Sequence, residues 1–343
     1  MKTILVTGGA GFIGSNFCRY ILEKDRDCRL LVLDSLTYAG DVDALGANQL
    51  DERADRVKFW YGNVRNADLV ATLVEQADIV VHFAAETHVT RSIFDNAVFY
   101  ETDVMGTQTI VNSVIKAKNV KLMIHISTSE VYGTAISPLM DENHPLNPRS
   151  PYASAKCGGD RLIYSYWETY GAPCVIIRPF NVFGPRQHLE KLIPRFITSV
   201  ILGEPLTIHG DGSAARDFTY VGDICRAIHR VMGAPREQVL GEVFNVASGV
   251  GRSIVEIADD VRRLMGKAEA AARYVPERPG QVSRHAGDAA KIKRVLGWQP
   301  EESWESGLQK SIEWYLANRA WWERRMWART VSITSLDGQI NYY

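Results

Sequence analysis

The sequence predicts an α/β fold: a doubly wound parallel sheet joined to a smaller mixed α/β substrate-binding lobe. Three observations predict it. Short Val/Ile/Leu-rich runs alternate with helical stretches through the first half. A glycine-rich turn follows the first of those runs. The 343 residues exceed the size at which a single hydrophobic core keeps growing, so two lobes are expected.

The elements follow in order. Apolar runs lie at 4–7, 30–34, 57–61, 79–83, 122–127 and 175–178. None alternates cleanly between apolar and polar, as expected of strands covered on both faces. Helical patterns run between them over 15–24, 68–76, 99–118 and 152–170. Such a succession builds a parallel sheet. The second half is punctuated at Gly184-Pro185, at Gly210-Asp211-Gly212 and from Pro276 to Gly280, with helices expected over 253–265 and 304–317. The segment 241–247 reads as a buried strand that rejoins the first sheet. The expected organisation is a first domain over 1–180 with a returning segment near 215–248, an interleaved lobe over 181–330 and a tail over 331–343. Trp304, Trp314, Trp321, Trp322 and Trp327 are read as core or subunit contacts, because large aromatics at near-helical spacing usually pack. Residues 331–343 match no motif and are expected to be a mobile tail.

Composition excludes several function classes. Apolar residues make up 46% and charged residues 23%, which argues against disorder. Lys+Arg number 39 against 40 Asp+Glu, a net charge of -1. That balance offers no basic footprint for nucleic acid and no polybasic membrane patch, so neither partner is expected. No apolar run approaches the ~20 residues that span a bilayer. The run after Lys2 meets glycines in place of a signal cleavage site and reads as a strand. Cysteines at 18, 28, 157, 174 and 225 are odd in number and unpaired in spacing. They argue against a disulfide framework and a zinc site, no metal is expected, and they fit the reducing cytoplasm.

Chemistry begins at Thr7-Gly8-Gly9-Ala10-Gly11-Phe12-Ile13-Gly14, after the first strand and opening a helix. Gly8, Gly11 and Gly14 let backbone approach a pyrophosphate, and the helix N-terminus presents free N–H groups to the anion. Asp34, 20 residues after Gly14, ends the second strand, where a carboxylate accepts from an adenosine ribose. It would repel a 2′-phosphate, which favours NAD over NADP. The sheet is accordingly expected to be Rossmann-like.

Tyr152 and Lys156 are four apart on one helix face. A phenol near pKa ~10 is a poor base at neutral pH, and a nearby ammonium is expected to lower that value. Such a pair can take a proton from a sugar hydroxyl while hydride leaves the same carbon for a nicotinamide. Thr128, Ser129 and Glu130 end the fifth strand, on the side that faces the ligand crevice. Thr128 could bond a sugar hydroxyl, and Glu130 could remove a carbon-bound proton acidified by a neighbouring ketone.

With these residues in view, the chain resembles the extended short-chain dehydrogenase/reductase family and, within it, the nucleotide-sugar 4,6-dehydratases. The matching segments are TGGAGFIGSN, DSLTYAGD, HFAAETHVTRSI, ISTSEVYG, SPYASAK, EKLIP, ARDFTYVGD, ERPG and LGWQPEESWESGLQKSIEWY, from residue 3 to about 322. The resemblance implies that Tyr152, with Lys156 and Thr128, oxidises a hexose at C4 using bound NAD. Glu130 then removes the C5 proton as water leaves C6, and hydride returns to C6. Cofactor contacts are expected from Gly8, Gly11, Phe12, Ile13, Gly14, Asp34, Asn63, Val64, Tyr152 and Lys156. A nucleotide-diphosphate sugar would meet Thr87, Asn181, Lys191, Leu192, Arg216, Asn245 and Arg278, with His88 flanking. The resemblance also implies a homodimer paired through the helices at 99–118 and 152–170.

Members acting on dTDP-glucose read Thr-Asp-Glu, whereas this chain reads Thr128-Ser129-Glu130. A Ser hydroxyl is too weak an acid to replace that Asp directly, so Glu130 would pass its proton to the leaving oxygen. Smaller departures are Asn63, Asp103 and Gln281, which stand where Asp, Asn and His are usual. Ser129 keeps a UDP-glucuronate decarboxylase-type enzyme open as an alternative, with Arg284 as a candidate cation for the carboxylate. A nucleotide-sugar 4-epimerase would leave Glu130 idle, and a non-catalytic dinucleotide sensor would have no use for Thr128, Tyr152 and Lys156.

Overall fold

The structure, a computed structural model, describes residues 1–46, 55–276 and 284–329, and the backbone of 332–334 and 340–342. Strands β1 (Lys2–Thr7), β2 (Cys28–Asp34), β3 (Val57–Tyr61), β4 (Ile79–His82), β5 (Leu122–Ile126) and β6 (Cys174–Pro179) occupy the expected apolar runs. Next come β7 (Asn181–Phe183), β8 (Leu206–His209), β9 (Ala215–Tyr220) and β10 (Val243–Val246). The main sheet is ordered β10-β6-β5-β4-β1-β2-β3, and each pairing is parallel.

Burial on both faces explains why the strands lack alternation. Ile4, Val6, Val32, Val81 and Ile124 face one core with Phe17 and Ile228, while Leu5, Leu31, Val80 and Met123 face another with Val70, Ile110 and Ile163. A third core gathers Phe183, Phe196, Ile208, Val261, Ile312, Tyr315 and Trp322 around β8 and the Trp304–Ala317 helix. The pairing of β10 with β6 returns the chain to the sheet after that excursion, as 241–247 predicts.

Two expectations are corrected. The helix expected over 99–118 is interrupted: Ala97–Tyr100 passes into a wide π turn, Glu101–Gly106, before Thr107–Ala117. The turn accommodates close packing on the Pro151–Tyr170 helix, where a Cβ on Gly159 would stand 2.4 Å from the Asp103 carbonyl oxygen. A π turn commonly marks a functional position, and this one buries Asp103. In the expected tail, Ser332–Thr334 and Ile340–Tyr342 pair as antiparallel strands, because backbone hydrogen bonds form there without an apolar motif.

Candidate active site

The C-terminal ends of β1, β2, β4 and β5 open on one cavity of about 550 Å³. At one end is the glycine turn. Gly8 has φ +68, and a Cβ there would stand 2.5 Å from the Ala84 backbone nitrogen. A Cβ on Gly14 would lie 2.3 Å from the Gly8 carbonyl oxygen. Gly11 caps the Phe12–Lys24 helix with no side-chain acceptor, so its first N–H groups remain available to an anion. The Asp34 carboxylate accepts from Ala10 N–H at 2.9 Å and Leu36 N–H at 2.8 Å, and it lines the cavity. Phe12, Ile13, Asn63 and Val64 line the same end. This cradle fits a dinucleotide: small residues where a phosphate must approach, a free helix N-terminus, and a carboxylate at the end of β2 on the same cavity.

At the cavity's centre stand Thr128, Glu130, Tyr152 and Lys156, from the end of β5 and the Pro151–Tyr170 helix. Ser150 caps that helix by accepting from Ala153 N–H at 3.1 Å, and Pro151 presets its first turn. Lys156 is buried and donates to the Ile126 carbonyl oxygen at 2.8 Å. Burial holds its ammonium below the usual lysine value, against the Asp103 and Asp160 carboxylates. Burial pushes the Tyr152 phenol well up, Asp103 adds to this, and Thr128 opposes it. The phenolate that takes a proton must therefore be favoured against burial.

Burial also raises the Glu130 carboxyl, opposed by the Arg216 and Lys191 cations. His285 lies 3.7 Å from Glu130, but burial and Arg216 press its pKa down to about 3, so it stands neutral beside the carboxyl. Beneath Thr128, Ser127 donates to Asp160 at 2.7 Å, and Arg178 holds Asp160 with bonds of 2.8 and 2.7 Å. Despite burial, Arg178 keeps Asp160 down at about 2.

Thr87, Asn181, Lys191, Leu192 and Arg216 line the far half of the cavity, with Lys191 donating to the Thr87 carbonyl oxygen at 3.0 Å. Four candidates are not brought there. Ser129 is 1% exposed and off the cavity, because within the 3-10 turn Ser129–Tyr132 only Glu130 reaches it while the others are buried. Asn245 is fully buried, its amide spent on the Met140 carbonyl oxygen (3.0 Å) and the Tyr132 hydroxyl (2.7 Å). His88 caps the Val89–Phe94 helix and meets Glu190 at 3.2 Å instead of lining the wall. Arg284 is exposed on the strand Arg284–His285 and does not line the cavity. Arg278 and Gln281 lie outside the described residues.

Sequence reasoning missed other wall residues. Glu86 and Glu190 add carboxyls to the wall, and Arg186 and Arg195 add cations. Burial raises Glu86 to about 7. Glu190 is buried too, but Lys191 and the imidazoles of His188 and His88 drive it well below the usual carboxylate range. The segments DSLTYAGD and HFAAETHVTRSI carried Tyr38 and Glu86 into view without singling them out.

Fold and site together define a dinucleotide-dependent α/β enzyme. The chain belongs to the GDP-mannose 4,6 dehydratase family, whose profile matches residues 5–311. It is similar to the low-salt glycan biosynthesis protein Agl12 of Haloferax volcanii, 45% identical over 92% of this chain and 99% of that protein. It is 41% identical to a dTDP-glucose 4,6-dehydratase of Streptomyces niveus, over 93% of this chain and 94% of that one. The solved structure of DesIV, a dTDP-glucose 4,6-dehydratase of Streptomyces venezuelae with NAD bound, superposes with a TM-score of 0.89 at 40% identity, covering 94% of this chain and 99% of that one.

Proposed function

We propose that the protein is a nucleotide-diphosphohexose 4,6-dehydratase using tightly bound NAD. The observation that carries the reading is the convergence of Thr128, Glu130, Tyr152 and Lys156 on the cavity that the glycine turn opens. NAD supplies the hydride acceptor at C4 and the hydride donor at C6. Residues 1–180, with the returning strand, supply most of its site, and 181–330 supply most of the cations for the sugar nucleotide. Gly8, Gly11 and Gly14 admit the pyrophosphate, and Asp34 takes the adenosine ribose.

Tyr152 accepts the 4-hydroxyl proton as the C4 hydrogen departs as hydride, with Thr128 and Lys156 favouring the phenolate. The resulting ketone acidifies C5, and Glu130 takes that proton. The C6–O bond breaks, and the proton on Glu130 leaves with the hydroxyl as water. Hydride then adds to C6 and one proton returns to C5, so the balance is loss of a single water. Arg216 and Lys191 supply cations for the diphosphate.

The cavity position of Glu130 favours this reading over an epimerase. A decarboxylase needs a cation for the sugar carboxylate, and Arg284, its candidate, stands outside. A homodimer is supported by exposed Tyr100, Met105 and Tyr164 on the two segments expected to pair, and light scattering giving a monomer mass would end it. No helix among the described residues is long and apolar enough to cross a membrane. With all five thiols free, we place the enzyme in the cytoplasm. The test is mass spectrometry of products from dTDP-glucose, UDP-glucose, UDP-N-acetylglucosamine, GDP-mannose, CDP-glucose and UDP-glucuronate. Loss of one water from a hexose supports the dehydratase and names the nucleotide. Loss of CO2 from the uronate alone overturns it.

A further inference from the structure

The family profile ends at residue 311, yet residues beyond it reach the cofactor end of the cavity. Trp321, on the helix Arg319–Glu323, donates its indole N–H to Asp41 at 2.6 Å. The Arg325 guanidinium meets the same carboxylate at 2.5 Å and lies over the Trp321 ring, 4.4 Å from its centroid. Arg324 pairs with Asp43 alongside. Asp41 in turn donates its backbone N–H to the Ala10 carbonyl oxygen at 3.0 Å, inside the glycine turn. On the other side, Trp321 packs edge-on against Trp314, the Arg186 guanidinium lies over Trp314, and Arg186 bonds Asn16 of the helix that the turn opens. Trp321, Arg325, Asp41, Gly40, Ala44 and Asp34 line one wall. The expectation that Trp321 is only core or subunit contact is thereby corrected.

We propose that Trp321 and Arg325 are cofactor-retaining residues: they form the outer wall of the adenosine site and hold the Asp41 loop against the glycine turn, so that NAD leaves slowly. The inference rests on the NAD reading above. Two donors on one largely buried carboxylate fix the loop more firmly than either alone, because charge-assisted hydrogen bonds are the strong ones. Arg325 also neutralises Asp41, so the wall does not present a second free carboxylate beside Asp34 to the diphosphate. If the loop swings out, the adenosine end loses its cover while the nicotinamide end is untouched.

The experiment uses the full chain as purified and follows release of bound NAD after mixing with excess unlabelled nucleotide, for wild type, Trp321→Phe and Arg325→Gln. Each variant is expected to release NAD at least about tenfold faster, equivalent to about 1.4 kcal/mol. The thermal midpoint of the NAD-free protein should change little. Unaltered release rates overturn the proposal, and so does a lowered NAD-free midpoint with unaltered release, which marks a purely structural contact. If Arg325→Gln fails to fold, Trp321→Phe, which keeps an aromatic ring and loses the indole N–H, decides alone. Wild type that binds no NAD overturns the functional reading as well, so the two failures are distinguishable.

Discussion

Glu86→Gln should flatten the fall in stability on the alkaline side of neutrality. Glu86 is buried on the cavity wall, and burial raises its carboxyl to about 7 from 4.5, with the Arg91 guanidinium opposing and the Glu190 carboxylate adding. The folded protein thus binds this proton more tightly than the unfolded chain. Its stabilising contribution is complete below the unfolded value and is lost as pH rises through about 7. The difference between those two values is worth about 3 kcal/mol in full, and most of it falls between about pH 5 and about pH 8. For 343 residues, each bringing about 2.1 cal/mol/K of unfolding entropy, that is about 3 °C in thermal midpoint. The assay is thermal unfolding of both proteins across that range. The midpoint of Glu86→Gln minus that of wild type should grow by about 3 °C towards the alkaline end. Asp103, also raised to about 7 by burial, feels the Glu86 carboxylate, so the comparison is repeated in an Asp103→Asn background to isolate Glu86. Parallel profiles would refute the burial argument.

Glu130→Gln should let C4 oxidation proceed and stop elimination, lowering turnover by about 10²–10⁴-fold while enzyme-bound reduced nicotinamide builds up in the absorbance spectrum. Product formation without that build-up excludes Glu130 as the C5 base, whereas Tyr152→Phe should suppress even the first hydride transfer. Gly14→Ala sets a methyl 2.3 Å from the Gly8 carbonyl oxygen, a backbone atom that cannot swing aside. The variant should purify without nucleotide, and full NAD content by chromatography of the released nucleotide would contradict the cradle. Asp160→Ala leaves Arg178, 2% exposed, without its carboxylate. It should cost about 3–5 kcal/mol, a midpoint drop of about 4–7 °C, and an unchanged midpoint would show the pair to be dispensable.

The main sheet and the cofactor cradle were legible in the sequence because both depend on local pattern. Doubly buried strands leave unbroken apolar runs, and a phosphate-binding turn needs glycine at fixed positions whatever surrounds it. Thr128, Tyr152 and Lys156 were legible for a related reason: one strand end and one helix turn fix their spacing. What each side chain faces was decided elsewhere. Ser129 and Glu130 are neighbours in sequence, yet the packing around their turn buries one and leaves the other on the cavity. Asn245 carries the right amide, but Met140 and Tyr132, more than 100 residues away, consume its hydrogen bonds.

The sequence by itself determined the class of chemistry, since residue types at fixed spacing set which protons and hydrides can move. Only the tertiary structure decided the electrostatics: burial raises the Tyr152 phenol, because desolvation depends on every element packed around it. The tertiary structure likewise brought Trp321 to Asp41 across 280 residues, a contact invisible to any local pattern.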